Sequence, residues 1–149
     1  MAHNPVSDFM VPNPIMVEFN VSTADISKLM LKYSISSVIV IKDNKPVGIV
    51  TERDLVHRVL AEGLNPLSTL AAEICSKPVI PVLMYEDIDK AVEKMKENKI
   101  HRLVVVDPYD KVVGIVTTED IGYHLKSISE KLAIEYLNLM SKRQYHKMG

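Results

Sequence analysis

The sequence carries one short polar motif twice, Thr-x-x-Asp, at Thr51–Asp54 and at Thr117–Asp120. A threonine that caps a helix leaves the first N–H groups of that helix available to a phosphate or another polar group. An ionised aspartate three residues later can accept hydrogen bonds from both hydroxyls of a ribose. The same pattern is also a variant of the capping box, which stabilises a helix start by about 1 kcal/mol. The motif alone leaves the binding role and the structural role open.

The pair His101-Arg102 is a second candidate for binding. Arginine offers a planar fork that suits phosphate, and histidine can donate one or two N–H bonds according to pH. The alternative is a surface pair at the start of a strand. Arg53, inside the first Thr-x-x-Asp motif, could approach a phosphate from the helix start or could simply be solvated, and we rank it below Arg102.

The sequence lacks the residues that several other kinds of binding and catalytic site require. No two of the five glycines lie closer than eight residues apart, which excludes a dinucleotide fingerprint and a P-loop. The five histidines include no i, i+4 pair and there is one cysteine, so a zinc site is not expected. Neither a Gly-x-Ser-x-Gly elbow nor an HExxH helix occurs. We therefore expect no catalytic residue, no metal and no required cofactor, and favour binding over catalysis.

The composition is that of a folded chain. Of the 149 residues, 47% are hydrophobic and 25% are charged. Eighteen basic and nineteen acidic side chains leave a net charge of −1, which supplies no general attraction to nucleic acid or to an anionic membrane. No signal peptide is visible, and no apolar run approaches the roughly 20 residues of a spanning helix. We expect a cytoplasmic protein that binds neither nucleic acid nor membrane.

An internal repeat is the strongest feature of the sequence. Gly48–Leu55 (GIVTERDL) returns as Gly114–Ile121 (GIVTTEDI), 66 residues later. Upstream, Ser36–Ile41 matches His101–Val106 at an offset of 65. The one-residue difference falls in a turn, where insertions are tolerated. We predict two halves packed about a pseudo-twofold axis, with motif boundaries at 6–65 and 66–126 and a helical extension and tail at 127–149.

Each repeat predicts the order β-α-β-β-α, an α/β (α+β) fold with mixed sheets. An amphipathic helix is indicated by apolar residues at i, i+3, i+4 and i+7. These are Ile26, Leu29, Met30 and Tyr33, after the N-cap Ser22, in the first repeat and Ile88, Ala91, Val92 and Met95 in the second. Two β-rich runs around a polar turn then predict a hairpin, and a helix begins directly after it, at Thr51 or Thr117.

Gly-Ile-Val-Thr-x-x-Asp at the close of such a unit, twice in tandem, resembles the cystathionine β-synthase (CBS) domain pair, or Bateman module. The resemblance covers residues from about Val6 to Leu125. Within it, Lys99–Asp107 (KIHRLVVVD) is similar to the last motif of the regulatory γ subunit of AMP-activated protein kinase, in which a His-Arg pair faces the nucleotide phosphates. The resemblance implies a regulatory module without chemistry of its own, which binds adenosine-containing ligands in the clefts between its paired motifs.

The resemblance also implies which residues line each cleft. The slot that ends in Asp120 is walled by Ile15, Ile35, Ser36 and Ser37, and the slot that ends in Asp54 uses Ile80, Ile100, His101 and Arg102. Each isoleucine could instead belong to the hydrophobic core, and the two serines could simply be the residues at which the chain enters a strand. The complete predicted nucleotide-binding set is Ile15, Ile35, Ser36, Ser37, Thr51, Arg53, Asp54, Ile80, Ile100, His101, Arg102, Thr117 and Asp120. Because Ser36-Ser37 stands where the second repeat has His101-Arg102, we expect the two clefts to differ in their affinity for phosphate.

The ligand and the class of function stay open at this point. AMP, ADP, ATP and an S-adenosyl compound all fit the resemblance, and a basic residue at a phosphate position favours the nucleotides because a sulfonium ligand carries no phosphate. A ligand-free module for dimerisation, or for interaction with an unidentified protein target, is the alternative from another class. An enzyme is third, since no nucleophile and base can be named.

The C-terminal segment predicts a homodimer. Ile121, Leu125, Ile128 and Leu132 are spaced like an a/d seam, and Leu137 and Met140 continue the apolar face. We predict one helix continuing from Asp120, which pairs with a second copy through Leu125, Leu132, Leu137 and Met140. The alternative is that the segment folds back onto its own module, with a basic tail that frays from Ser141.

Overall fold

The computed structural model describes residues 4–124 and 130–148. They belong to two compact units: the N-unit, Pro14–Val79, and the C-unit, Met1–Asn13 together with Ile80–Gly149. Each unit therefore contains most of one repeat together with the leading segment of the other repeat. The leading segments are residues 66–79 in the N-unit and Met1–Asn13 in the C-unit. The compact units divide the chain differently from the sequence repeat, whose boundaries at 6–65 and 66–126 stay a prediction.

A three-stranded mixed sheet forms the N-unit, with strand order β2-β3-β4. β2 runs parallel to β3, and β3 pairs antiparallel with β4. In chain order the elements are β2 Met16–Glu18, α1 Thr23–Tyr33, β3 Ser37–Lys42, β4 Lys45–Thr51, α2 Glu52–Asp54, a π-helical segment Leu55–Leu60 and α3 Ala71–Ile74.

The C-unit repeats this plan with one further strand, in the order β1-β7-β6-β5. β5 is parallel to β6, β6 is antiparallel to β7, and the short β1 pairs antiparallel with β7. The elements are a 3-10 turn Val6–Asp8, β1 Val11–Pro12, β5 Pro81–Leu83, α4 Ile88–Asn98, β6 Arg102–Val106, β7 Val112–Thr117, α5 Thr118–Tyr123 and α6 Glu130–Met148. The predicted β-α-β-β-α order and the mixed sheets are confirmed in both units.

The predicted helix caps are also found, and so are the apolar stripes except at Tyr33, which is 49% exposed. Ser22 accepts a hydrogen bond from the Asp25 amide at 3.1 Å, and α1 buries Ile26 and Met30. Its C-cap, Ser34, has φ 53°, and the C-cap of α4, Lys99, has φ 54°. The two equivalent helices thus end in the same left-handed turn, which directs the chain into β3 or β6.

The C-terminal helix differs from its prediction. α5 ends at Tyr123 and α6 begins at Glu130, so one continuous helix from Asp120 is wrong, while Leu125 and Ile128 lie outside the described residues. α6 runs to Met148, past Ser141, and fraying of the tail stays a prediction.

α6 packs onto its own unit. Leu132 is 2% exposed and joins Leu139 in the core of the C-unit, and Lys96 Nζ of α4 lies 2.7 Å from Glu135 Oε2 of α6. The prediction that Leu132 contacts a second copy is therefore wrong, because its apolar surface is already buried within one chain. None of the helices in the described part of the chain has the length and apolar character needed to span a bilayer.

Two equivalent glycines permit the leading segments to cross the sheets closely. A β-carbon on Gly48 would lie 2.5 Å from Cys75 Sγ and 2.9 Å from its Cβ. A β-carbon on Gly114 would lie 2.5 Å from Met10 Sδ and 2.9 Å from the Val11 carbonyl oxygen. Any larger residue at either position would push the leading segment off the strand.

We expect Gly48→Ala to lower the free energy of unfolding by about 1–3 kcal/mol, because the added methyl overlaps Cys75 in a closely packed layer. Urea denaturation of the variant and of the wild type measures the difference. Lys45→Ala, at the exposed first residue of β4, is the control and should leave stability nearly unchanged. Equal stability of Gly48→Ala and the wild type would contradict the close approach.

Candidate functional site

In the N-unit, the predicted site residues gather at the sheet edge where β3 begins and β4 ends. Ser37 is paired with Thr51 across the two strands. The Ser36 carbonyl accepts a hydrogen bond of 3.0 Å from the first N–H of α2, and the Ile15 carbonyl accepts one of 3.0 Å from a β3 amide. Ile35 stands just before β3, where its N–H donates to the last turn of α1.

The C-unit arranges its own residues in the same way. Arg102 is paired with Thr117 across β6 and β7. The His101 carbonyl accepts a bond of 3.1 Å from the first N–H of α5, the Ile80 carbonyl accepts one of 3.2 Å from a β6 amide, and the Ile100 N–H donates to the last turn of α4. Each unit thus brings together its own share of the predicted set. The predicted pairing of residues from different repeats in one slot stays a prediction.

Both Thr-x-x-Asp motifs form complete capping boxes. In the N-unit, the Thr51 amide donates to Asp54 Oδ2 at 2.9 Å, and the Asp54 amide donates to Thr51 Oγ1 at 3.2 Å. In the C-unit, the corresponding distances between Thr117 and Asp120 are 2.9 and 3.1 Å. The structural role left open by the sequence is therefore real, and any ligand would share each carboxylate with its cap.

The surroundings of the two carboxylates differ. Asp54 is 6% exposed, accepts a hydrogen bond from Ser76 Oγ at 3.1 Å on Oδ1, and has Arg58 Nε at 3.6 Å from the same oxygen. Asp120 is half-buried. The sequence analysis missed Ser76 and Arg58, although the i, i+4 spacing of Asp54 and Arg58 signals an ion pair on a helix.

Arg102 is the residue whose surroundings most clearly indicate a bound ligand. Its side chain is half-buried, and its Nε is enclosed without a hydrogen-bond partner in the part of the chain that the structure describes. Leaving a buried charged donor unpaired is costly, and a bound anion would remove that cost. His101 beside it is also half-buried, whereas Arg53 is exposed.

The buried thiol of Cys75 does not add a nucleophile. Burial raises the pKa of Cys75, and the nearby positive charge of Lys77 offsets the rise only in part. A thiol of raised pKa stays protonated at neutral pH and is unreactive. Among residues 4–124 and 130–148, no three His, Cys, Asp or Glu side chains are placed to hold a metal ion.

The comparisons with known proteins agree on one family. A family model described as the CBS domain matches residues 6–61 and 71–126. An uncharacterised protein of Methanopyrus kandleri is 40% identical over 116 residues, which are 74% of this chain and 59% of that protein. The chain thus spans about three fifths of this relative. Other relatives carry enzyme names, and two of them are matched over only 24% and 22% of their length.

Solved structures show the same fold. A CBS domain protein of unknown function from Thermoplasma acidophilum has a TM-score of 0.77 at 26% identity, and the match covers 94% of this chain and 78% of that one. The CBS domain pair of protein MJ0100, in complex with 5′-methylthioadenosine and S-adenosyl-L-methionine, has a TM-score of 0.73 at 31% identity. That match covers 85% of this chain and 98% of the other.

Proposed function

The chain belongs to the CBS domain family, and on that premise we propose that it is a regulatory module that binds an adenosine nucleotide, AMP, ADP or ATP, and performs no chemistry of its own. The single observation that carries the proposal is the enclosed, unpaired Nε of Arg102 at the sheet edge that also holds Thr117 and Asp120. Arg102 offers a cation for a phosphate, and the capping aspartates offer carboxylates for a ribose diol.

The MJ0100 domain pair supports the adenosine class, because both of its bound ligands contain adenosine and the two chains are 31% identical. Neither of those ligands carries a phosphate, so an S-adenosyl compound is the alternative. Arg102 favours the nucleotide, since a sulfonium would bring a second positive charge beside the guanidinium.

Calorimetric titration with AMP, ADP, ATP, adenosine and S-adenosyl-L-methionine tests the proposal. We expect a nucleotide to bind with a micromolar dissociation constant, on the order of −8 kcal/mol. The melting temperature of the protein should rise with the concentration of a ligand that binds, because such a ligand stabilises the folded state. Absence of heat and of a thermal shift with every ligand would overturn the function, and preference for the S-adenosyl compound would favour the alternative.

We expect Arg102→Ala to weaken AMP binding about tenfold or more while leaving adenosine binding nearly unchanged, because only AMP carries the phosphate. Titration of both ligands into both proteins measures the selectivity. The AMP affinity of Arg102→Lys, which keeps the charge but not the planar fork, should lie between those of the wild type and of Arg102→Ala. Arg53→Ala, which removes an exposed arginine, is the control. Equal losses for AMP and adenosine would mean that Arg102 acts through packing.

We also propose that the chain forms a homodimer through the helical face of the N-unit. This face carries exposed apolar residues next to a cavity of about 690 Å³, which Ile35 and Ser36 of the predicted nucleotide-binding set help to line. Leu31 of α1 is 84% exposed, and Leu60 of the π-helical segment is 75% exposed. Apolar surface of this kind on a folded unit indicates a partner.

The internal repeat indicates what covers this face. In the C-unit the equivalent helices, α4 and α5, are covered by α6, whereas the N-unit has no helix of its own in that position among its residues, 14–79. α6 also turns Ile134 and Leu137 outward, both more than half exposed. We propose that this outer face of α6 from a second copy covers the open face of the N-unit.

Sedimentation equilibrium is expected to show a dimer that Leu31→Glu/Leu60→Glu or Leu137→Glu converts to a monomer, because each change places a charge in an apolar contact. Tyr109→Glu, at an exposed turn residue, is the control and should remain dimeric. Point variants are preferable to deleting α6, which would remove Leu132 and Leu139 from the core. A monomeric wild type would overturn self-association and leave the face to another protein target.

A further inference from the structure

The cavity on the open face of the N-unit corresponds to a surface of the C-unit that α6 covers. Three apolar residues that line the cavity are matched, at the offsets of the repeat, by three residues in or against the core of the C-unit. The pairs are Met30 and Met95, Ile35 and Ile100, and Leu55 and Ile121. Leu132 and Leu139 of α6 belong to that same core, and α6 packs against both α4 and α5. The N-unit thus has an open cavity where the C-unit seats a helix.

Two pairs of residues fit α6 to the C-unit. Lys96 Nζ of α4 lies 2.7 Å from Glu135 Oε2 of α6. Gly122 of α5 makes room for the ring of Tyr136, because a β-carbon at position 122 would lie 2.8 Å from Tyr136 Cε2 and overlap the phenol oxygen. The residues of this inner face of α6 are spaced i, i+3, i+4 and i+7. They are Leu132, Glu135, Tyr136 and Leu139.

Both of these fitting positions are different in the N-unit. Leu31 stands at the position of Lys96, and Val56 stands at that of Gly122; both line the cavity. A carboxylate placed against the first position would lose its cation, and a tyrosine ring placed against the second would overlap the isopropyl group. The cavity therefore rejects the inner face of α6 and suits a helix that brings an apolar residue to Leu31 and a smaller residue to Val56.

The outer face of α6 presents such residues at the same spacing. It lies two residues further along the helix than the inner face, and its four members, again at i, i+3, i+4 and i+7, are exposed. They are Ile134, Leu137, Asn138 and Ser141. In the register that seats the inner face, Leu137 would face Leu31 and Asn138 would face Val56. Two leucines then replace the ion pair of the C-unit, and a valine with a shorter side chain replaces the glycine with its tyrosine.

We infer that the cavity of the N-unit is a selective seat for the outer face of α6 from a second copy, and that Leu31 and Val56 are the residues that determine the selection. This inference rests on the proposed homodimer. It adds to that proposal the register of the contact and the reason that α6 is not exchanged between copies. Each α6 packs on its own C-unit through one face and on the N-unit of the second copy through the other.

Exchange of the first pair tests the inference by sedimentation equilibrium of the full chain. Leu31→Lys and Leu137→Glu should each raise the dissociation constant of the dimer roughly tenfold or more, because each places a charge in an apolar contact. The double variant, which brings the two new charges together, should recover most of that loss. Leu31→Lys combined with Tyr109→Glu, at an exposed turn residue, is the matched control and should stay dissociated.

Exchange of the second pair tests the fit by size. Asn138→Tyr should weaken the dimer severalfold, because the ring would overlap Val56, and Val56→Gly in the same chain should restore it. Asn138→Ala is the matched control and should remain dimeric. Thermal unfolding of each variant shows that the units themselves stay folded.

Recovery in either double variant supports the register. A dimer that the single variants leave intact, or that neither double variant restores, would overturn the inference and leave self-association to another surface. A monomeric wild type would overturn the homodimer and the inference with it. Titration with AMP measures the nucleotide-binding function separately, so its failure is distinguishable from both results.

Discussion

The direct junction of a strand and a helix is the constraint on which both units depend. β4 leads into α2 and β7 into α5 without an intervening loop, so the helix start has to be satisfied by the strand's own last residue. Thr51 and Thr117 do this together with the aspartates three residues on. The first N–H of each helix is then bonded to the carbonyl just before the neighbouring strand, Ser36 or His101. This single junction places the polar residues of the motif at the edge of the sheet.

The exchange of leading segments is the second organising feature. Each repeat is completed by the segment that precedes the other one, and that segment crosses its sheet over a glycine, Gly48 or Gly114, where a side chain would not fit. In the N-unit the residue after the glycine contact, Ser76, donates to the capping Asp54 at 3.1 Å, whereas the equivalent residue of the C-unit, Val11, has no side-chain donor. The two copies of a duplicated scaffold can in this way make different side-chain contacts on the same backbone plan.

α6 makes the two units unequal in a different respect. It places Leu132 and Leu139 in the core of the C-unit and holds α4 through the pair Lys96 and Glu135. Without a counterpart, the N-unit leaves Leu31 and Leu60 on an open face. The sequence of α6 predicts a dimer seam because an apolar stripe has the same spacing whether it packs within a chain or between chains, and only the packing distinguishes the two.

The order of the elements, the caps at Ser22, Thr51 and Thr117, and the family can all be predicted from the sequence, because each depends on neighbours a few residues away or on a repeat that can be aligned directly. Tertiary structure alone decided three further features. These are the bond from Ser76 to Asp54 across 22 positions, the burial of Leu132 in its own unit, and the assignment of each leading segment to the other repeat. Such contacts depend on where the folded chain returns in space, and no local periodicity encodes that distance.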